Sequence, residues 1–397
     1  MGAEGIVSGM NKFHICLNMI GDSSWTGGST YIHNLARAIA LLPSDERKNI
    51  TVSVRATTSN IKNIDGLMDI VDNTFLSGFG NRVVLEVINH LPDKMFRLLG
   101  ATFKTSNIDF FYPETVGMKF PYNYGSWIPD FQHRYMPEFF SQAEIKIRDK
   151  MYSKIANNAP IIVLSSKMAL DDFNNFYPHA ARRSTILNFC SFIDEKWFEA
   201  DPKIIQKKYD LPDSFFIVCN QFWKHKGHDT IIKAVNIIKE AGKQAYIVCT
   251  GHTIDVRFPG YINELKTVIS KLGLEKNIII LGLIPRFDQI QLIRQSLAVI
   301  QPSLFEGWST VIEDARSVGK EMLISDFPVH IEQNPPYTNF FKRGDYELLS
   351  QLMRDALHNL IPGPNKQSEQ KAVIENKENL FNFGKSFLKI AVSGCKI

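Results

Sequence analysis

The sequence predicts an α/β protein made of two doubly wound, parallel-sheet domains. Its 397 residues exceed what one ordinary core takes up, so two domains are expected. Short apolar runs alternate with amphipathic stretches of helical period, the pattern of β-α-β crossovers. That rhythm runs once, stops at a turn-rich stretch between Phe189 and Asp213, and runs again. The domains are taken as 1–200 and 201–397.

In the first domain, Phe13 to Ile20 reads as a strand and Tyr31 to Leu42 as a helix. Ile50 to Val54, Ile108 to Tyr112, Tyr124 to Ile128 and Ile161 to Ser165 read as further strands. In the second domain, strands are expected at Phe215 to Asn220, Ala245 to Thr250, Ile278 to Leu281, Ala298 to Gln301 and Met322 to Ser325. Helical periods fill Thr230 to Ala241, Tyr261 to Lys271 and Phe287 to Gln295. The tail is polar from Pro362 to Asn379 and amphipathic to Ile390. Residues before Met10 carry no pattern.

Composition narrows the class. Charged residues make up 22% and the formal net charge is only +4, without the concentrated basic stripe of a nucleic-acid binder. The five cysteines are scattered, with no CxxC pair or metal-ligand spacing, which suggests reduced thiols in a cytoplasmic protein. No apolar run reaches the length of a membrane span. Phe13 to Ile20 is short and followed by Gly21-Asp22, so it is read as a core strand and not a signal peptide. There is no P-loop, no G-x-S-x-G elbow and no Asp-x-Asp, so neither NTPase nor serine-hydrolase chemistry is expected, nor a required metal ion.

The most informative stretch is Ile300 to Gln333. An apolar run ends at Pro302-Ser303, Glu306-Gly307 follow, and a helical pattern carries Asp314 eight residues after Glu306. Gly319 and a second apolar run close the stretch. In doubly wound sheets, ligands sit at strand carboxyl ends against helix N-termini. Backbone N–H groups of Trp308, Ser309 and Thr310 would suit an anionic group there. Two carboxylates beside a phosphate would repel it unless they hold hydroxyls, as on a ribose and a sugar. The stretch therefore suggests a nucleotide-sugar site.

Other motifs fit around it. Gly27-Gly28 falls between the first strand and first helix, where glycine lets backbone approach a phosphate; a ligand-free tight turn is the alternative. Gly78-Phe79-Gly80 resembles the start of a GxGxxG, but Val83 holds the third glycine position, so it is read as a loop. Lys224 and Lys226 follow the strand ending at Asn220, where a lysine can neutralise a leaving diphosphate. His133 follows the strand ending at Ile128 and can serve a sugar hydroxyl or an acceptor, or cap a helix. Ser165-Ser166 reads equally as a site or a helix cap. Arg286 either meets a base or phosphate or is simply exposed. Trp223 and Trp308 either cover a sugar face or pack in the core.

Together, Gly27-Gly28, Trp127 to His133 (WIPDFQH), Asn220 to Lys226 (NQFWKHK) and the Glu306–Asp314 pair resemble, in order and spacing, the family 4 (group 1) retaining glycosyltransferases of the GT-B fold. The family's second acid is usually Glu and is Asp314 here; Glu313 lies about 100° around the helix. The resemblance implies two Rossmann-like domains facing a central cleft, acceptor on the first and donor on the second, with a terminal helix crossing back. It implies Glu306 on the transferred sugar, Asp314 on the ribose and Lys226 on the diphosphate. The family's arginine position falls near Gln221, which holds no cation; Lys224 is suggested in its place. Gly28 would face the donor's phosphates or the acceptor, which would lie near Gly27, Gly28 and His133; Ser309 and Thr310 would serve the anion; and the loops at Thr250-Gly251 and Gly282 to Arg286 would line the base, with Arg286 stacking on it or binding phosphate. Front-face substitution is implied, with the leaving phosphate taking the acceptor proton.

The partners expected are a nucleotide-diphosphate sugar and a glycan, lipid-linked or other hydroxyl acceptor, without nucleic acid and with no cofactor required. A role in polysaccharide biosynthesis is expected. Lys146, Arg148, Lys150 and Lys154 leave two readings open, peripheral contact with the inner face of a membrane or a solvated helix face. Three alternatives also stand: a catalytically weak sugar-nucleotide-binding protein, a non-hydrolysing sugar epimerase, and a dinucleotide-dependent oxidoreductase, against which the missing GxGxxG argues.

Overall fold

The computed structural model describes residues 12–21, 26–57, 60–76, 108–119 and 122–395. The Gly78-Phe79-Gly80 stretch lies outside the described residues. The chain forms two compact units. One comprises 1–135, 141–190 and 379–397; the other comprises 136–140 and 191–378.

The first unit holds strands β1 (Phe13–Asn18), β2 (Ile50–Ala56), β3 (Asn73–Leu76), β4 (Phe110–Glu114), β5 (Asn123–Ile128), β6 (Ile161–Leu164) and β7 (Ser184–Ile186). They lie in the order β3-β2-β1-β4-β5-β6-β7, paired in parallel. The chain winds outward from β1, then returns to lay β4 on its other side. Each expected strand forms here. β3 and β7 are edge strands with few apolar residues, so no buried-strand run marks them.

Ser166 proves to be a helix cap: its Oγ accepts from the Ala169 N–H at the head of the Lys167–Phe176 helix. Ser165 Oγ accepts from Trp127 Nε1 at 2.9 Å. The Gln142–Asn158 helix opens on a full capping box, Ser141 with Glu144. Lys146, Lys150 and Lys154 are exposed along it.

The second unit holds β8 (Phe216–Val218), β9 (Ile247–Thr250), β10 (Ile278–Gly282), β11 (Val299–Gln301), β12 (Met322–Ser325) and β13 (Thr338–Phe341). Their order is β10-β9-β8-β11-β12-β13, again parallel. The strand order reverses between β8 and β11, which is where such sheets bind ligands. Ile231, Val235, Leu265 and Met353 fill one face of this sheet, and Ile290, Ile293, Ile312 and Ala315 the other.

The weakly patterned tail is a continuous helix, Lys366–Gly394. Within the second unit, Glu369 pairs with Arg294 and Asn376 accepts from Ser317. Residues 379–397 belong to the first unit, where Phe387 is fully buried beside Phe110 and Tyr112. Among the described residues, no helix is long and apolar enough to cross a membrane.

Candidate active site

The site is built on the loops that follow β8 and β11. After β8 the chain passes Asn220 and makes one 3-10 turn, Lys224–Lys226. Gly227 then takes a left-handed φ of +72° and starts the His228–Glu240 helix. A side chain there would also sit 2.5 Å from the Pro302 carbonyl oxygen, so glycine is required on both counts. This close approach sets the turn carrying Lys226 against Pro302, at the start of the loop that carries Glu306.

After β11 the chain runs through Pro302 and Glu306 to Ser309, the N-cap of the Thr310–Ser317 helix. Lys226 Nζ donates to Glu306 Oε1 at 2.6 Å. Gln301 Nε2 donates to the same oxygen at 3.0 Å and to Ser309 Oγ at 2.9 Å. Asn220 Nδ2 in turn donates to Gln301 Oε1. Two polar links, Lys226–Glu306 and Asn220–Gln301, thus join the β8 and β11 loops where the strand order reverses. Lys226 and Glu306 keep side-chain exposures of 16% and 9%, open enough for a ligand to touch and dry enough for charge to matter.

Asp314 is engaged differently from the sequence expectation. Its side chain is 1% exposed, and both carboxylate oxygens face the Arg286 guanidinium, with Nη2 to Oδ1 at 2.6 Å and a second contact from Nη1 to Oδ2. Ser191 Oγ also donates to Oδ1. The carboxylate expected to wait for ribose hydroxyls is therefore taken up inside the protein. Arg286, expected at the base or exposed, opens the Arg286–Gln295 helix and remains 35% exposed. The repulsion that two acids would impose on a phosphate is thereby relieved, because Lys226 matches one and Arg286 the other.

The anion cradle also differs. Ser309's N–H goes to Gln333 Oε1 at 3.1 Å, and its Oγ caps Ile312, so neither is held out for a ligand. Thr310 is the first residue of its helix, where backbone N–H groups lack intrahelical partners. Glu313 is buried against Gln333, Arg316 and Trp308; burial pushes its carboxyl up, and those three partners pull it back. Trp308 is thus tied to Glu313, and Trp223 packs 4.8 Å from the Arg257 guanidinium.

Lys224 is not brought to Glu306. Its Nζ lies 5.0 Å from the Phe258 ring centre, and it lines a cavity of about 300 Å³ with Asp229, Tyr261 and Glu264. In the first unit, Gly27 and Gly28 fall in the first turn of the Thr26–Ala40 helix, not in the turn before it, and Gly28 is buried. The helix starts earlier than its apolar residues because polar Thr26 and Ser29 give no amphipathic signal. His133 has a side chain with 0% exposure, and Nε2 meets Asp149 Oδ1 at 3.1 Å. Burial lowers its pKa and Asp149 opposes the fall.

Sequence reasoning missed Asn220 and Gln301 as site-building residues. Their signal was present: each is a polar side chain closing an otherwise apolar strand run. It also missed Ser191, Gln333 and His330. His330 is fully buried beside Ser325, and burial pushes its pKa down to about 4. Among the described residues, no group of three or more His, Cys, Asp or Glu gathers to hold a metal.

The comparisons match this fold. Over the whole chain, the fold is that of Anabaena HepE solved with UDP and glucose, with a TM-score of 0.66, 15% identity and coverage of 96% of this chain and 99% of that one. A Rickettsia africae glycosyltransferase gives a TM-score of 0.66 at 14% identity, covering 98% and 100%. Sucrose-phosphate synthase from Thermosynechococcus elongatus gives 0.64 at 13%, covering 96% and 97%. The architecture is GT-B, and the chain is a glycosyltransferase. Residues 201–379 carry the domain described as "Glycosyl transferases group 1". No curated protein sequence matches the chain.

Proposed function

We propose that this enzyme moves a hexosyl group, with retention, from a nucleoside-diphosphate sugar to a hydroxyl of a glycan, lipid-linked or related acceptor in polysaccharide biosynthesis at the cytoplasmic side. The observation that carries the donor reading is the Lys226–Glu306 pair across the β8–β11 reversal. A lysine ammonium has three N–H donors. One goes to Glu306, and the others suit oxygens of the diphosphate, where negative charge grows as the sugar leaves. Glu306 accepts from Lys226 and Gln301 on one oxygen, so the second is the oxygen for a hydroxyl of the transferred sugar. UDP is the first nucleotide to test, since HepE binds UDP and glucose in its crystal.

The acceptor is placed on the first unit, by the first turn of the Thr26–Ala40 helix. In the step itself, the acceptor oxygen bonds to the anomeric carbon as the bond from that carbon to the diphosphate breaks. The leaving phosphate oxygen takes the acceptor proton on the same face. Incubation with UDP-hexoses tests the reading: UDP release with a product of unchanged anomeric configuration supports it, and inversion refutes the retaining assignment. Donor turnover without transfer to any hydroxyl would return the protein to the epimerase reading.

Two expectations follow. Glu306→Gln should lower kcat by about 10- to 100-fold and leave donor KM nearly unchanged, because a contact that tightens as charge develops is lost mainly from the transition state. A raised KM at normal kcat would assign Glu306 to ground-state binding. Activity should also persist in saturating EDTA, since Lys226 offers the leaving group its countercharge. Loss on chelation, restored by Mg²⁺ or Mn²⁺, would contradict that.

A further inference from the structure

Arg286, which opens the helix after β10, and Asp314, on the helix after β11, form a second charged pair, and its geometry assigns them linked roles. The guanidinium has five N–H donors, of which two go to Asp314. This pairing uses the two terminal nitrogens end-on, so three N–H groups, that of Nε among them, are not taken by Asp314, and the side chain remains 35% exposed. Asp314 has the opposite character: it is 1% exposed and accepts from Arg286 twice and from Ser191 once. A carboxylate so buried and so occupied cannot also take a ribose diol without losing its arginine.

The pair also sits close to the β8–β11 reversal. Cys219, directly after β8, is near enough to feel both charges, and the next residue, Asn220, bonds Gln301 beneath Glu306. The loop after β8 has Gln221 where a second cation beside Lys226 would be useful, and Lys224 is engaged with Phe258. A nucleoside diphosphate carries more negative charge than Lys226 alone offsets.

We propose that Arg286 is a second anion-binding residue for the donor diphosphate, and that Asp314 is a positioning residue that fixes this arginine and does not hold the ribose. This rests on the donor reading above. The shorter Asp fits the role: both of its oxygens pair with the guanidinium, and it is 1% exposed.

The test is calorimetric titration of the full chain with UDP, GDP, ADP and the 2′-deoxy form of whichever binds. Arg286→Ala should weaken diphosphate binding about tenfold or more. Asp314→Asn should show a comparable loss, and the double variant should be no weaker than Arg286→Ala, because one function is being removed twice. Arg286→Lys should recover part of the affinity. Wild-type affinity for the 2′-deoxy nucleotide should stay within about threefold of the parent, since no carboxylate holds the 2′-hydroxyl. Thermal midpoints without ligand identify any variant that fails to fold, in which case Arg286→Lys and the deoxy nucleotide still decide. Unchanged binding in Arg286→Ala, additive losses in the double variant, or strong rejection of the deoxy nucleotide would each overturn the proposal. If the wild-type chain binds none of the three diphosphates, the donor reading itself fails and this proposal falls with it.

Discussion

Replacing Lys226 with alanine should lower kcat by about two to three orders of magnitude, roughly 3–4 kcal/mol on the barrier. Two effects act in the same direction. The variant loses a cation aimed at the growing charge on the leaving diphosphate. It also leaves Glu306, only 9% exposed, without the countercharge that now sits 2.6 Å away, so an unmatched carboxylate faces an anionic substrate. The second effect can be separated. Glu306→Gln added to Lys226→Ala should restore part of the donor affinity while kcat stays low. Lys226→Arg keeps the charge but replaces a compact ammonium with a planar fork, so it should rescue only in part. Steady-state kinetics with varied donor check these outcomes, and near wild-type kcat in Lys226→Ala would remove the residue from the mechanism.

The largest expected effect on stability lies away from the site. Arg294 is 3% exposed, and its guanidinium holds Glu369 through two hydrogen bonds, 2.6 and 3.2 Å long. It also donates to the carbonyls of Trp197, Ala200 and Phe198. These ties fasten the 195–200 segment and the start of the terminal helix to the Arg286–Gln295 helix. Arg294→Ala would leave Glu369 unmatched and take the guanidinium from the Phe198 and Ala200 carbonyls, while Gln291 Nε2 still serves that of Trp197, at a cost of about 3–5 kcal/mol. The thermal midpoint should fall clearly below that of Glu369→Gln, which keeps a polar acceptor opposite the arginine. A midpoint equal to wild type would show that water replaces the guanidinium at no cost.

Much of the fold was legible in the chain, for a physical reason. Strands of a parallel sheet covered on both faces must be apolar throughout, so Phe216–Val218 and Met322–Ser325 announce themselves. Edge strands are covered less completely, and Thr338–Phe341, with Asn339 and Phe340 exposed, gives no such run. The terminal helix was hidden because an element that passes from one unit to the other does not keep one apolar stripe along its length.

The site was legible where its geometry is local. Gly227 and the spacing from Asn220 to Lys226 mark a turn, and Glu306 to Ser309 marks the approach to a helix. What could not be read was which side chain reaches across. Nothing in the spacing of Glu306 and Asp314 says that Arg286, on a separate loop, closes on the second acid, or that Asp149 draws His133 inward. Those pairings are set by the register of β8 against β11 and by the packing of neighbouring helices. A one-dimensional pattern carries neither.

The central claim is that a nucleoside diphosphate binds where Lys226 and Glu306 join the β8 and β11 loops. Calorimetric titration of the wild-type chain and of Lys226→Ala with UDP, GDP and ADP tests it most directly. One diphosphate should bind the wild type and raise its thermal midpoint, with a stabilisation of about 2.7 kcal/mol at a hundred times Kd, and its affinity should fall at least about tenfold in the variant. Equal affinity in the two proteins, or no binding of any of the three, would contradict the account.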